Sequence, residues 1–383
     1  MAKTFVLAPD SFKESMTAEQ ACQAMQRGIQ KIFTDAHFIH VPMADGGEGT
    51  VEALVAVSNG QMIHCEVMGA LPTQKIKTYF GLLDDGKTAV IEMAKANGIH
   101  LLEPAQRNPL LTTTYGTGEM IRAALDLGVT KIILGLGGSV TNDAGVGMAQ
   151  ALGAQFLDVN QNDVLFGGGQ LNQIQTIDLS HLDERLKQTE IIIASDVNNP
   201  LCGENGASYV FAPQKGATFE MVQQLDQNLI HLALLVSQQL KMNVKDIAGT
   251  GAAGGLGFGL MVFAGATIRS GVELVIEQTQ LAQKIAQADY VFTGEGGIDF
   301  QTKFGKTPFG VAQVAKQLHK PVISCSGYIG EGIHELYAEG FTAIFGIVHG
   351  ASDLQAALKN GQKNLERTCE NIARLLKIAK SSN

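Results

Sequence analysis

Val41-Pro-Met-Ala-Asp-Gly-Gly-Glu-Gly-Thr50 runs from an apolar segment into two carboxylates, Asp45 and Glu48, set among three glycines. Glycine tolerates φ > 0 and lets another group approach the backbone, so such a loop suits contact with a charged, metal-bound ligand. Two further segments share the design: Ile132-Ile-Leu-Gly-Leu-Gly-Gly-Ser-Val-Thr-Asn-Asp143 and Tyr290-Val-Phe-Thr-Gly-Glu-Gly-Gly-Ile-Asp299. A buried strand, a glycine turn and a polar cluster, met three times, point to an α/β fold that handles phosphate groups at its strand ends.

Upstream, Phe5-Val-Leu-Ala8 ends at Asp10-Ser11 and reads as a buried strand. Thr17 with Gln20 makes a capping box, and Ala18, Ala21, Cys22, Met25, Ile29 and Ile32 follow at helical spacing. A strand over 37–43 and a helix over 48–57 complete a β–α–β–α opening, the pattern of a parallel sheet with helices on both faces. Residues 61–94 break this rhythm with strands at 62–68, 76–83 and 88–93, the last two joined antiparallel around Asp84-Asp85-Gly86. Alternation resumes with a helix near 115–127, a strand at 131–136, a helix near 143–152 and a strand at 190–195. Long helices follow near 219–240 and 255–266. Beyond them, strands at 289–293, 321–325 and 343–348 alternate with helices at 308–319, 332–339 and 352–378. The first β/α pair lacks the strands for a sheet of its own, and the C-terminal segment supplies three. The expectation is a discontinuous, doubly wound parallel-sheet domain of Rossmann or flavodoxin type over 1–75 plus 285–383. An inserted mixed α/β domain over 76–284 would interrupt it, with the site in the cleft between the two.

Bulk composition narrows the function classes. The chain has 383 residues, long enough for two domains, with 45% hydrophobic and 17% charged residues and 44 glycines. A net charge of −9 without a Lys/Arg cluster argues against a nucleic-acid surface. Five scattered cysteines read as reduced thiols of a cytoplasmic protein, and nine histidines without metal-ligand spacing argue against structural zinc. The N-terminus enters a strand directly, with no signal-peptide core. Gly249 to Ile268 carries no charge, but seven of its residues are glycine, so it reads as a buried glycine loop leading into a short helix rather than a membrane span.

Of two familiar nucleotide motifs, one fails and the other is weak. Gly305-Lys306-Thr307 ends like a P-loop, but the glycine required five residues earlier is Phe300. Thr307 as N-cap with Pro308 at the first helical position remains a strong helix start. Gly249, Gly251 and Gly254 fit GxGxxG, with Glu273 downstream, yet the preceding Asn243-Val-Lys-Asp-Ile247 is a poor buried strand. Better candidates lie at other strand ends. Asp10, Ser11 and Lys13 follow the first strand and suit an anionic ligand. Asp45 and Glu48 suit Mg²⁺ or a hydroxyl substrate, or else complement a helix dipole. Gly135 to Asp143 reads as a phosphate nest, with Ser139 and Thr141 adding hydroxyls. Asp196 in Ser195-Asp-Val-Asn-Asn-Pro200 is a candidate metal ligand or base, with an Asx turn as the plain alternative. Lys215 adds a cation beside a turn, and Glu295, Asp299, Lys303 and Lys306 cluster after a late strand.

Taken together these segments resemble the glycerate kinase family, of the bacterial glycerate 2-kinase type. The resemblance rests on Ala8-Pro-Asp-Ser-Phe-Lys13, Ala44-Asp-Gly-Gly-Glu-Gly-Thr50, Gly135-Leu-Gly-Gly-Ser139 and Thr141-Asn-Asp143. It continues through Ser195-Asp-Val197, Asn199-Pro-Leu-Cys-Gly203, Pro213-Gln-Lys-Gly-Ala217, Gly251-Ala-Ala-Gly-Gly255, Thr293-Gly-Glu-Gly296, Gln301-Thr302 and Gly305-Lys306. It implies ATP-dependent, Mg²⁺-assisted phosphorylation of D-glycerate at its 2-hydroxyl, on a two-domain fold unlike the P-loop kinases. The chemistry of the residues then suggests places for them: Lys13 and Ser11 are expected at the glycerate carboxylate, with Asp10, Asp45 and Glu48 completing the substrate site. Asp196 is expected to orient or deprotonate the accepting hydroxyl, with Lys13 and Lys306 as further catalytic groups. Asp45, Asp196 and Glu295 are expected at Mg²⁺. Gly46, Gly47, Gly137, Gly138, Ser139, Thr141, Lys215, Gly254 and Gly255 are expected at ATP. Three alternatives stay open: transfer to the 3-hydroxyl, an NAD(P)-dependent hydroxy-acid dehydrogenase using the 249–254 loop, and a non-catalytic binder of sugar acids or nucleotides. Small-molecule substrates are expected, with no nucleic acid and no membrane, and a homo-oligomer is left open.

Overall fold

The computed structural model describes residues 2–381. Its strands are β1 (Thr4–Leu7), β2 (His37–His40), β3 (Gln61–Met68), β4 (Lys75–Leu82), β5 (Thr88–Glu92), β6 (Lys131–Gly135), β7 (Gln155–Leu157) and β8 (Thr176–Asp178). They continue as β9 (Glu190–Ala194), β10 (Thr267–Arg269), β11 (Tyr290–Thr293), β12 (Gly297–Ile298), β13 (Val322–Ser326), β14 (Tyr328–Ile329) and β15 (Ala343–Gly346). The chain divides into two compact units, Met1–Asp45 with Glu52–Ser58 and Val272–Asn383, and Gly46–Val51 with Asn59–Gly271.

The first unit is built on an all-parallel sheet in the order β15-β13-β11-β1-β2. With the long insertion removed this is the 2-1-3-4-5 order of flavodoxin-like sheets, whose switch point lies between the first strand and the third, here β1 and β11. The chain steps one way from β1 to β2 and the other way from β11 to β13. Right-handed crossovers therefore put helix Ala18–Gln30 and helix Thr307–Gln317 on opposite faces, the doubly wound arrangement. The Thr17/Gln20 capping box starts the first helix as its sequence predicts. That helix buries Ala21, Cys22, Met25 and Ile29 against Phe5 and Leu7 of β1, together with Leu365, Cys369 and Ile372 of helix Gly361–Ser381. The predicted helix over 352–378 is two, Leu354–Lys359 and Gly361–Ser381, parted at Asn360.

The second unit carries a mixed sheet in the order β10-β9-β6-β5-β4-β3. β3, β4 and β5 form the antiparallel meander read from the sequence, with its second hairpin around Asp84-Asp85-Gly86. β5, β6, β9 and β10 are parallel. Its core joins Ile91, Ile132, Leu134, Ile191 and Ile193 of the sheet to Met120 and Ile121 of helix Tyr115–Asp126 and to Leu256 and Leu260 of helix Ala252–Ala264. A parallel sheet assembled from both ends of the chain, with a mixed sheet inserted, is the α/β class the sequence predicts. Among the described residues no helix is long and apolar enough to cross a membrane.

Candidate functional site

In the first unit, backbone pairing continues past the ends of β1 and β11 and carries three acids to the switch point. The Ala8 and Asp10 N–H groups donate to the carbonyls of Phe292 and Gly294, and Met43 N–H donates to the Pro9 carbonyl two residues before Asp45. Thr293 Oγ1 donates to the Ala8 carbonyl at 2.8 Å, which ties the two strand ends together. Gly294 has no alternative residue here, because a Cβ would stand 1.9 Å from the Cys325 carbonyl.

Asp10 is buried, accepts from Ser11 N–H at 2.6 Å and takes the Thr307 hydroxyl on its second oxygen at 2.5 Å. Burial, with Asp45 adding like charge, pushes its carboxyl up to about 6, against the pull of those two hydrogen bonds and of Lys13. Burial likewise pushes Glu295 up to about 7; Lys306 pulls it back, while Asp10 and Asp45 push it further. Lys306 Nζ stands 3.7 Å from Glu295 Oε1 and 4.0 Å from Asp299. Lys13 and Asp45 are exposed and Ser11 half-buried. The loop that carries Lys13 is anchored at its far end, where Ser15 Oγ donates to the Leu358 carbonyl at 2.7 Å. Lys303 is turned to Glu335 at 2.5 Å. Thr307 is not the N-cap its sequence predicts. Lys306 occupies that position without a side-chain cap, and Thr307, one residue into the helix, gives its hydroxyl to Asp10.

The second unit gathers its candidates at the carboxyl edge of its parallel strands. Gly46, at φ +87°, packs so closely on the end of β9 that a Cβ would stand 2.8 Å from the Ala194 carbonyl. Gly135 at the end of β6 meets the Gly46 carbonyl in the same way, and Gly137 faces the Cα of Gly47. Gly137, Gly138 and Glu48 are exposed, as is Asp196 just beyond β9. Ser139 and Thr141 turn inward, where the buried Lys215 ammonium donates to Ser139 Oγ at 2.8 Å and to the Thr141 carbonyl at 2.7 Å. Sequence reading did not single out Asp143 as a hub. Buried, it accepts from Thr114 N–H and Oγ1 and from the N–H groups of Gly145 and Gly147. Its partner Thr114 belongs to the run Thr112-Thr113-Thr114, all three fully buried, and the sequence does not tell that run from an exposed one.

The glycines of 249–255 are closely packed by protein atoms, Gly251 and Gly254 by backbone. A Cβ on Gly251 would lie 2.2 Å from the Pro200 carbonyl, and one on Gly254 2.0 Å from the Thr141 carbonyl. Gly255 meets Ala144 at 2.9 Å. Ala253, Gly254 and Gly255 are successively left-handed, which folds this loop onto the 141–144 segment. No strand feeds the loop among the described residues. Its glycines therefore have a packing role, which lets this loop lie directly on the 141–144 segment.

The sequence profile of the glycerate kinase family matches residues 5–377. A glycerate kinase of Haemophilus influenzae is 52% identical over 97% of this chain and 98% of its own length. A glycerate 2-kinase of Escherichia coli K12 is 48% identical over 97% of this chain and 98% of its own. A crystal structure from Salmonella typhimurium LT2, whose protein bears the provisional name glycerate kinase 2, superposes with a TM-score of 0.90 at 47% identity and covers both chains fully.

Proposed function

The chain belongs to the glycerate kinase family, and on that premise we propose that it transfers the γ-phosphoryl group of ATP to the 2-hydroxyl of D-glycerate. The observation that carries this reading is the cluster of Asp10, Asp45, Glu295, Lys13 and Lys306 at the switch point of the five-stranded sheet. Phosphoryl transfer asks the protein for little covalent chemistry. It needs positioned groups and neutralised charge, which backbone N–H groups, lysines and carboxylates supply.

Lys13, exposed and close to the Ser11 hydroxyl in sequence, is given the glycerate carboxylate. Lys306 faces the transferring phosphoryl group, and Asp196 orients the accepting hydroxyl and takes its proton. The outward-facing Gly137 and Gly138 put backbone N–H groups toward the nucleotide phosphates. Among the described residues no three His, Cys, Asp or Glu side chains form a ready metal cage. A magnesium ion that travels with phosphates needs only one or two carboxylates. Glu295 Oε1, buried without a hydrogen-bond donor, is an acceptor that a cation would satisfy, so Asp45 and Glu295 fit the role of holding it. When bound, the ion neutralises charge on the phosphate oxygens.

Purified protein mixed with ATP, Mg²⁺ and D-glycerate, followed by ³¹P NMR, tests this directly. ADP release that depends on glycerate, with a 2-phosphate resonance, is expected. A 3-phosphate would keep the kinase and change its regiochemistry, and a folded protein without turnover would sink the reading. Asp196→Asn should lower turnover by about 10²–10⁴-fold with the fold intact. Near-normal turnover would remove Asp196 from its role.

A further inference from the structure

Lys215 is too deeply placed to touch a ligand. Only 1% of it is exposed, at the end of the short turn Pro213–Lys215. Two of its three ammonium protons are already committed, to Ser139 Oγ and the Thr141 carbonyl. The charged group that acts on it is Asp143, from the turn before helix Val146–Ala151, and that carboxylate already accepts four hydrogen bonds. A lysine without a contacting anion is a costly thing to bury. What it holds is the dry side of the 135–141 loop. Thr141 Oγ1 sits on that side, fully buried and without a hydrogen-bond partner. Gly137 and Gly138 lie exposed on the other side. Further backbone bonds pin the loop: Met93 N–H donates to the Gly135 carbonyl, Ile99 N–H to that of Gly138, and Val140 N–H to that of Asn97.

We propose that Lys215 is a positioning residue, which holds Ser139 and the Thr141 carbonyl from behind so that the outer face of the 135–141 loop is preset for the nucleotide phosphates. The proposal rests on the reading of that loop as the phosphate-binding segment. Lys215 then contributes in two ways. It fixes loop geometry before the ligand arrives, so the ordering cost is not charged against binding. Its positive charge also lies behind the phosphates, screened by one layer of backbone. Burial holds the Lys215 ammonium down at about 7, with Asp143 pulling it back up. A bound polyphosphate favours the charged form, so binding near neutral pH draws a proton onto Lys215 and weakens as pH rises.

The test is ADP binding to the full-length protein by calorimetry between about pH 6 and 9, with Lys215→Met, Lys215→Arg, Ser139→Ala and the Ser139→Ala/Lys215→Met pair. Lys215→Met should weaken ADP roughly 10-fold or more while its melting temperature holds or rises, because a desolvated cation has been removed. Lys215→Arg should restore part of the loss. The double variant should bind no worse than Lys215→Met alone, since both changes cut one contact. Wild-type affinity should fall with pH more steeply than that of Lys215→Met. Unchanged affinity in Lys215→Met, or losses that simply multiply in the double variant, would overturn the positioning role alone. Absence of ADP binding by the wild-type protein would overturn the kinase reading and this proposal with it. Should Lys215→Met fail to fold, Ser139→Ala and the wild-type pH profile decide together: unchanged affinity in the variant with no fall in wild-type affinity as pH rises refutes the role.

Discussion

A carboxyl group buried beside other carboxyls gives up its proton late, and that delay is a cost to the folded state. Glu295 titrates at about 7 and Asp10 at about 6, chiefly through burial. The unfolded chain releases the same protons near the ordinary carboxylate range, so from there up to about pH 7 the native state holds more protons. Stability from these groups is therefore greatest in acid and declines as pH rises through that window. Glu295→Gln should stabilise the protein at pH 8 by on the order of 3 kcal/mol and change it little at pH 4, as read by urea unfolding at both. An equal gain at the two pH values would show that the carboxyl is not perturbed. Thr307→Val removes the hydroxyl given to Asp10 and should cost about 1.5–3 kcal/mol at pH 8, and less once Asp10 is protonated. A loss independent of pH would mean that Asp10 is not the partner that matters. The types of residue at these strand ends are legible in sequence, because each follows an apolar run. The Asp10–Thr307 bond is not, because its partners are 297 positions apart and Thr307 reads locally as a helix cap. Depth is equally hidden. Lys13 and Lys215 look alike in a sequence, and one is exposed while the other is buried.

At the scale of elements, left-handed glycines separate into two kinds that a sequence cannot tell apart. Gly265 ends helix Ala252–Ala264 at φ +65° with open space where a Cβ would lie. Gly254 has nearly the same φ, +68°, but a Cβ there would be driven into the Thr141 carbonyl and the Asn142 Cα. Gly265→Ala should therefore cost about 1 kcal/mol, the left-handed penalty alone. Gly254→Ala should cost roughly 3 kcal/mol, since the 141–144 segment must also move. Urea midpoints of the two variants check this, and equal losses would mean that the loops are not packed as described. The buried glycine loop and short helix over 249–268 are readable from composition, whereas the turn at Ala253–Gly255 that folds one loop on the other is a backbone conformation with no hydrophobic period. Short pieces escape for the same reason. β10 has only three residues, too few to show alternation, and it forms the edge of the mixed sheet.

For the whole molecule, the legible fact was that both ends of the chain alternate β and α, the first with too few strands for a sheet of its own and the last supplying three. Hydrogen bonding then decides membership. β3, which follows the opening β–α–β–α run directly, pairs over its full length with β4 and belongs to the mixed sheet, a partnership that its own periodicity does not announce. In the five-stranded sheet the two chain ends are joined by the β1–β11 pairing, and the first helix and the last meet beside it. Gly28 is where they meet most tightly, for a Cβ there would stand 2.2 Å from the Glu366 carbonyl and 3.0 Å from the Cys369 Cβ. Gly28→Val forces the two helices apart and should cost at least ~2 kcal/mol. Because β1, β11 and β13 share one core with these helices, the loss should be felt by all three strands together. Hydrogen exchange should speed up in Thr4–Leu7, Tyr290–Thr293 and Val322–Ser326 by a common factor, with Lys131–Gly135 and Glu190–Ala194 reporting the second unit separately. If exchange quickened only within Ala18–Gln30, the helix pair would be an attachment to the sheet, and the claim that both chain ends fold as one cooperative unit would fail.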